Sequence, residues 1–546
     1  MARASRVMRS NSQRGALPPC RGRWAMPVRM AGLCGADSVV SKHAGASRYN
    51  RQESPCRNPF VPDSSPAEVV SLNALLDAAG RGERILTANR RLARQLLQAH
   101  EQRMRAAGET VWETPAILPW DDWLTAVWDA AQFAGRLPAR LLLSPEQEQH
   151  LWEQVVADSP AGEALLRPAP TARLAAEAHA LLQDWCLQLP GDDDRLNDDV
   201  RAFRDWAREF DARCRSHEWL PASRLASVLG ECPSAFEGWC DQPCHLLGFE
   251  ELTPSHRRVL SAFTQAGGRW RRVALAGLAG QAARVSLEDA SQEARVVARW
   301  VRQRLEANPD ARIGVVVPDL AARRAALCRA LDAILVPQAR RVDTDPRQRP
   351  YNVTLGLPLA QEPLVRAALQ LLALASGRQP FEAVMQLLRS PHLAGWESER
   401  GQRALLDRQL RETGEPHITL ARLRHFAARE DRPWHCPLLA QGLAEMERQR
   451  REWPSRATTG EWVTHFSRLL NAVGWSRGRP LSSPEYQASE AWRRTLATFA
   501  TLETVGRPMS AGEAISRLRS LAAARLFQPQ TPPTPVQVMG LWEAVG

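Results

Sequence analysis

The chain has 546 residues, 44% of them hydrophobic and 24% charged, with a formal net charge of +11. That length exceeds what one core serves, so roughly three or four domain-sized units are expected, and no apolar run approaches the about 18 residues that cross a bilayer. Residues 1–60 hold 11 Lys/Arg and 2 Asp/Glu, a net of +9, so the other 60 basic and 58 acidic residues leave only +2 for the body. Overall charge therefore makes no case for a polycationic nucleic-acid binder; only local clustering could.

Residues 1–65 read as a leader that is Arg-rich, poor in acid and without sustained periodicity. Arg23, Arg29 and the prolines interrupt every candidate apolar core of a secretory signal. The expectation is a disordered extension outside the fold. A helix is predicted over 67–79, then a strand over 85–88 running directly into a helix that Asn89 caps, with Leu92, Leu96 and Leu97 at helical spacing. A second strand follows near 114–118, and Pro119 and Trp120 open the next helix. Residues 126–240 carry apolar and Trp positions at a period of 3.6 and read as helical, broken by the acidic loop Gly191-Asp192-Asp193-Asp194, a solvated loop by default.

At 244–248 an apolar strand runs into Phe249, Glu250, Glu251, Leu252, Thr253 and Pro254. Two readings apply there. Glu250 and Glu251 could imitate the strand-terminal acids that hold magnesium in an ATPase, or Thr253 caps a helix with both glutamates solvated beside it. Short strands are predicted at 272–276 and 284–287, an amphipathic helix over 293–306, and a buried parallel strand over 313–317 from its unbroken aliphatic run. Pro318 and Asp319 superficially match half of a nuclease motif and read as the turn after that strand. Residues 356–525 are helical again, 529–535 are a Pro/Thr linker, and 536–539 read as a strand returning to the second sheet. The chain ends seven residues later, at Gly546, which at this level reads as a fragment of a longer protein.

Strand-into-helix at 85–97 is the geometry that aims backbone N–H groups at a phosphate, yet no phosphate loop lies there. Gly80 and Gly82 precede the strand, and the one lysine of the whole chain is Lys42. A phosphate-loop lysine is thus missing from the body, and arginine does not reproduce its point charge. Nuclease chemistry needs later acids, usually with a lysine, to position metal and water. Cys232, Cys240, Cys244 and His245 form the one cysteine cluster, but their spacing fits no common zinc pattern, so buried or loop thiols are expected. The ten cysteines are scattered and suit reduced thiols in the cytoplasm.

Five collinear stretches, RILTANRRLARQL (84–96), ETPAILPWDDWL (113–124), LLGFEELTPSHRRVL (246–260), QEARVVARWVRQRLEANPDARIGVVVPDL (292–320) and YNVTLGLPLAQEPLVRAALQLLAL (351–374), resemble a bacterial family of DNA repair proteins. That family is itself similar to AddB, the degenerate superfamily 1 helicase-like partner in helicase–nuclease complexes. The likeness spans roughly residues 68 to 546. It implies an α/β fold of two RecA-like parallel-sheet cores, each with a large all-helical insertion (UvrD/AddB-like). The first core would comprise 66–125 and 241–285 around an insertion at 126–240. The second would begin at 286–355, carry an insertion at 356–525 and be truncated within 526–546. The family's C-terminal PD-(D/E)XK nuclease domain has no counterpart before Gly546.

The function implied is a DNA repair scaffold, inactive as a helicase, that holds DNA, expected to be single-stranded, for a nuclease or helicase partner subunit. No cofactor, metal, catalytic residue or membrane contact is expected. Thr87, Asn89, Glu250 and Glu251 match the degenerate nucleotide site. Arg90, Arg91 and Arg94, beside Trp120 and Trp123, match the first DNA-contact region, where cations would follow phosphates and rings would stack on bases. The alternative at those five positions is core tryptophans beneath a solvated arginine face. Two other functions stay open: an ATP-dependent helicase or nuclease subunit in a longer protein, and a helical protein-interaction module without DNA binding.

Overall fold

The computed structural model describes residues 67–189, 197–277, 280–340, 349–530 and 534–544, all within one compact unit, Asp63–Gly546. The leader, the acidic loop 191–194 and part of the linker fall outside the described residues.

The first sheet collects β1 (Glu68–Val70), β2 (Arg84–Thr87), β3 (Ile117–Pro119), β4 (Cys244–Leu247) and β5 (Trp270–Leu275) in the order β1-β5-β4-β2-β3. Every pairing is parallel. Strand alternation sends Ile85, Ile117, Leu247 and Val273 to one face, onto α1 (Leu72–Gly80) and α2 (Arg90–Ala106). Leu86, Cys244 and Leu246 point the other way, onto α3 (Trp120–Phe133) and α8 (Pro254–Gln265). With both faces covered, all four residues of β4 are buried.

Between β3 and β4 lies a first helical block that includes α4 (Pro145–Ala157), α5 (Pro168–Asp184), α6 (Asp198–Ser216) and α7 (Leu225–Gly230). Trp152 stacks on Phe210 at 4.3 Å in its core. The chain then forms α9 (Ala290–Ala307), β6 (Ile313–Val316), α10 (Leu320–Leu335) and β7 (Tyr351–Val353). A second helical block follows, running from α11 (Pro363–Ser376) and α12 (Phe381–Leu388) through α13 (Trp396–Glu412), α14 (Leu420–Ala427), α15 (Pro437–Arg451), α16 (Thr459–Ala472) and α17 (Ser483–Thr501) to α18 (Ala511–Ala524). Finally β8 (Val536–Met539) inserts between β6 and β7, parallel to both.

Three local expectations need correction. Residues 67–71 are not helical: Val69 and Val70 pair with Ala274 and Leu275 at the sheet edge, and Ser71 caps α1 by accepting the Ala74 N–H at 3.1 Å. Residues 284–287 join no ladder. The aliphatic run at β6 is buried on one face only. Ile313 and Val315 meet α9 and α10, which pack on the same side of the second sheet, while Gly314 and Val316 are exposed.

The two helical blocks dock on each other. Val505 enters the core of the first block. Gln147 Nε2 donates to Thr501 O at 2.8 Å, Gln154 Nε2 donates to Val505 O at 3.0 Å, and Arg507 pairs with Asp158 at 3.2 Å. His150, on α4 at this junction, is buried, and burial together with the nearby Arg517 cation pushes its pKa down to about 4. The imidazole is neutral in the folded protein, whereas unfolded chain takes a proton below about pH 6.5. Its contribution is therefore complete above pH 6.5 and is lost as pH falls toward 4, by about 3 kcal/mol. In urea titrations across that range, His150→Gln should flatten the pH dependence of the unfolding midpoint. An unchanged slope would remove His150 from the acid response.

Candidate nucleic-acid interface

In an open parallel sheet, ligands settle at the carboxyl ends of neighbouring strands whose following helices cover opposite faces. β2 and β4 are such a pair, because α2 covers one face and α8 the other. Thr87, Asn89, Glu250 and Glu251 all lie at this edge, so the four positions matched to a nucleotide site do share one end of the sheet.

The corner itself is filled. Ala88 donates its N–H to Leu247 O at 3.1 Å, which ties the β2–α2 turn to β4. Gly248 sits at φ +82°, and a Cβ there would lie 2.9 Å from Leu92 Cδ2 and 3.5 Å from Ala88 Cβ. Apolar atoms thus occupy the space where a phosphate loop would curl. Thr87 is buried, its hydroxyl donating to Asn89 O at 2.9 Å, and Asn89 Oδ1 accepts the Leu92 N–H at 2.8 Å. Glu250 and Glu251 are exposed, and Thr253 caps α8 through a reciprocal pair with His256. Of the two readings of this corner, the geometry matches the helix cap.

The tryptophan expectation is overturned. Trp120 is 5% exposed and Trp123 is 0% exposed. Trp120 packs edge-on against Phe249 at 5.7 Å and His256 at 4.9 Å, while Trp123 meets Phe236 and Phe263, each at 5.7 Å. These rings join α3 to α8 and have no free face for a base.

The three arginines diverge. Arg90 pairs with Asp122 at 2.7 Å in the first turn of α3, which also carries Asp121. Arg91 turns toward the second sheet, where Nη2 lies 3.0 Å from Met539 Sδ at the end of β8. Burial lowers the pKa of its guanidinium, with Glu543 opposing the shift. Only Arg94 is simply exposed. The sequence does not show how closely Asp121 and Asp122 approach this helix end, although both lie in 113–124 beside Trp120 and Trp123.

Charge counted by segment is more informative. Residues 126–240 carry 11 Arg against 19 Asp/Glu, a net of −8, and 356–525 carry 24 Arg against 17, a net of +7. Opposite signs thus sit on the two helical blocks, a signal present in the sequence but averaged away in the body total of +2. In the first block, Asp158, Asp198, Asp205 and Glu209, with Arg201 and Arg213, line a cavity of about 510 Å³. In the second, Arg366, Arg378, Arg400, Arg468, Arg477 and Arg494 are exposed and form no ion pair among the described residues.

Cys244 and His245 occupy successive positions of β4 and point to opposite faces. His245 lies between Glu83, 2.6 Å from its Nε2, and Arg271, whose Nε donates to Nδ1 at 3.0 Å. No group of three metal-ligating side chains converges among the described residues, and none of their helices is long and apolar enough to cross a membrane. The chain matches no protein-family model and no curated protein.

Trp123→Ala should cost about 3–5 kcal/mol of stability, as large-to-small changes in a packed core do. Arg90→Ala, which removes an exposed pair, should cost at most about 1 kcal/mol. Urea unfolding of the two variants tests this; equal, small losses would mean that Trp123 is not a core anchor.

Proposed function

We propose that this chain is a DNA repair or recombination scaffold that holds single-stranded DNA on its second helical block and presents it to a nuclease or helicase partner subunit in the cytoplasm. The two parallel sheets correspond in this reading to RecA-like cores, each interrupted by a helical insertion. The observation that carries the reading is the separation of charge, a net +7 on residues 356–525 against −8 on 126–240. A strand-following surface needs cations spaced along it, and arginines without internal partners supply them at least desolvation cost.

The binding surface belongs on the second block and away from the β2–α2 corner. At that corner Arg90 is neutralised by Asp122, the tryptophans are core, and Glu250 and Glu251 would repel a phosphate backbone. A working nucleotide site is not part of the proposal. Leu92, Ala88 and Gly248 fill the place of a phosphate loop, and none of the described residues is a lysine.

The purified chain should bind a labelled oligothymidylate with affinity that falls steeply with salt, by about 0.7 log units per log unit of salt for each phosphate contacted. ATP should leave that affinity unchanged. Fluorescence anisotropy across a salt series measures both. Salt-independent or absent binding would favour a protein-interaction module, and ATP hydrolysis abolished by Glu250→Gln or Glu251→Gln would restore an enzyme.

A further inference from the structure

In the second block, α11 and α12 meet along a groove. Arg366 and Gln370, four residues apart on α11, flank the buried Ala367, and Gln386, Arg389 and Ser390 face them from the end of α12. They enclose about 250 Å³ with no carboxylate in the lining, in contrast to the acidic cavity of the first block. That volume falls below the roughly 300–1,000 Å³ of small-molecule pockets. It suits one phosphate group better than a nucleotide.

The two arginines are presented differently. Arg366 stands exposed on the first turn of α11 and forms no ion pair among the described residues, with the positive end of the helix dipole beneath it. Arg389 is aimed from behind. Its Nε donates to Asp407 Oδ2 at 2.8 Å, and the other Asp407 oxygen accepts from Arg411 Nε at 2.7 Å. Arg411 in turn lies over the Phe381 ring at 5.2 Å. Asp407 is 8% exposed, whereas the Arg389 side chain is 57% exposed. The buried carboxylate thus fixes one edge of the Arg389 guanidinium, and its two Nη groups take no protein acceptor among the described residues. A fork held this way matches the paired oxygens of a phosphodiester.

Resting on the single-strand reading above, we propose that this groove is the phosphodiester subsite of the second block, in which Arg366 and Arg389 clamp one backbone phosphate while the strand continues over the neighbouring surface. Arg389 is the specificity-bearing fork and Asp407 its positioning residue.

The test uses the full chain, an oligothymidylate probe and the double variant R366Q/R389Q, with R173Q/R201Q on the acidic block as an equal change of charge. Losing one phosphate contact should lower affinity about fivefold in about 0.1 M salt and flatten the salt slope by about 0.7. The acidic-block control should change neither. Both arginines are exposed, so the thermal midpoint should hold; if it falls, Arg366→Gln alone, which touches no internal ion pair, gives the same reading at smaller amplitude. Wild-type affinity and slope in R366Q/R389Q would overturn the subsite while leaving the single-strand reading in place. Absence of oligonucleotide binding by the wild-type chain would overturn both. Displacement of the probe by inorganic phosphate beyond that by chloride at matched ionic strength would mark a small-anion site and also overturn the assignment.

Discussion

Each helical block is closed by parallel strands that lie far apart in sequence. β2 pairs with β4 across residues 88–243, and β6 and β7 both pair with β8, which arrives only after the whole of the second block. A parallel pair needs a crossover, and nothing limits that crossover to one helix. The entropy of closing such long loops grows only logarithmically with length, so each doubling adds about 0.6 kcal/mol. Large helical excursions are therefore inexpensive additions to a sheet whose strand ends are already fixed. The same constraint makes the contact order high and the assembly of each sheet late, because β4 and β8 cannot join until their blocks have emerged.

What holds the blocks together is partly the charge that separates them. Arg507 and Arg517 of the basic block reach Asp158 and Glu153 of the acidic one. The Arg507–Asp158 pair is exposed and contributes little, and the largely buried Arg517–Glu153 pair offsets its attraction with desolvation. The apolar insertion of Val505 and the backbone carbonyls of Thr501 and Val505 therefore set the geometry. The charges instead choose which faces meet. They also leave the outer surface of the second block, net +7 over residues 356–525, with positive charge in excess, and this ties the internal packing of the molecule to the surface it offers a polyanion.

Several features were legible because one residue carries a local physical signal. Asn89 and Thr253 announce helix starts through their side-chain oxygens, and both cap as read. The short apolar runs at β2, β4 and β8 became strands because their flanking residues permit nothing longer. The failures have equally local causes. Ser71 signals the start of α1, yet the leucine spacing after it extends convincingly backward over Val69 and Val70, and only the distant β5 decides that these two are strand. The spacing of Trp120 and Trp123 shows that they share a helix face but not whether that face looks inward. That depends on Phe236, Phe249 and Phe263, more than a hundred residues away. The unbroken aliphatic run of β6 suggested two covered faces, but α9 and α10 lie on the same side.

The composition adds a last constraint. Of 71 basic residues all but Lys42 are arginine, 70 in number, and the structure uses those it describes in two distinct ways: buried in ion pairs, as Arg403 is, or exposed on the surface, as Arg366 and Arg468 are. Arg403, 1% exposed, donates to Glu399, whose carboxylate also accepts the Leu438 and Leu439 N–H groups at the start of α15. Here a planar, always-charged fork gives a buried pair several hydrogen bonds at once, through Nε and Nη2 to Glu399 and through Nη2 to Ala394 O, which a lysine's compact and strongly hydrated ammonium does less well. Arg389 stands between the two uses, half committed to Asp407 and half open to solvent. A buried acid that engages only one edge of a surface arginine reduces the rotamer freedom the arginine would otherwise lose on binding, and leaves its outer donors for a ligand. An arginine-rich block can therefore be rigid and cationic at once, because its internal ion pairs orient the charges that remain outside.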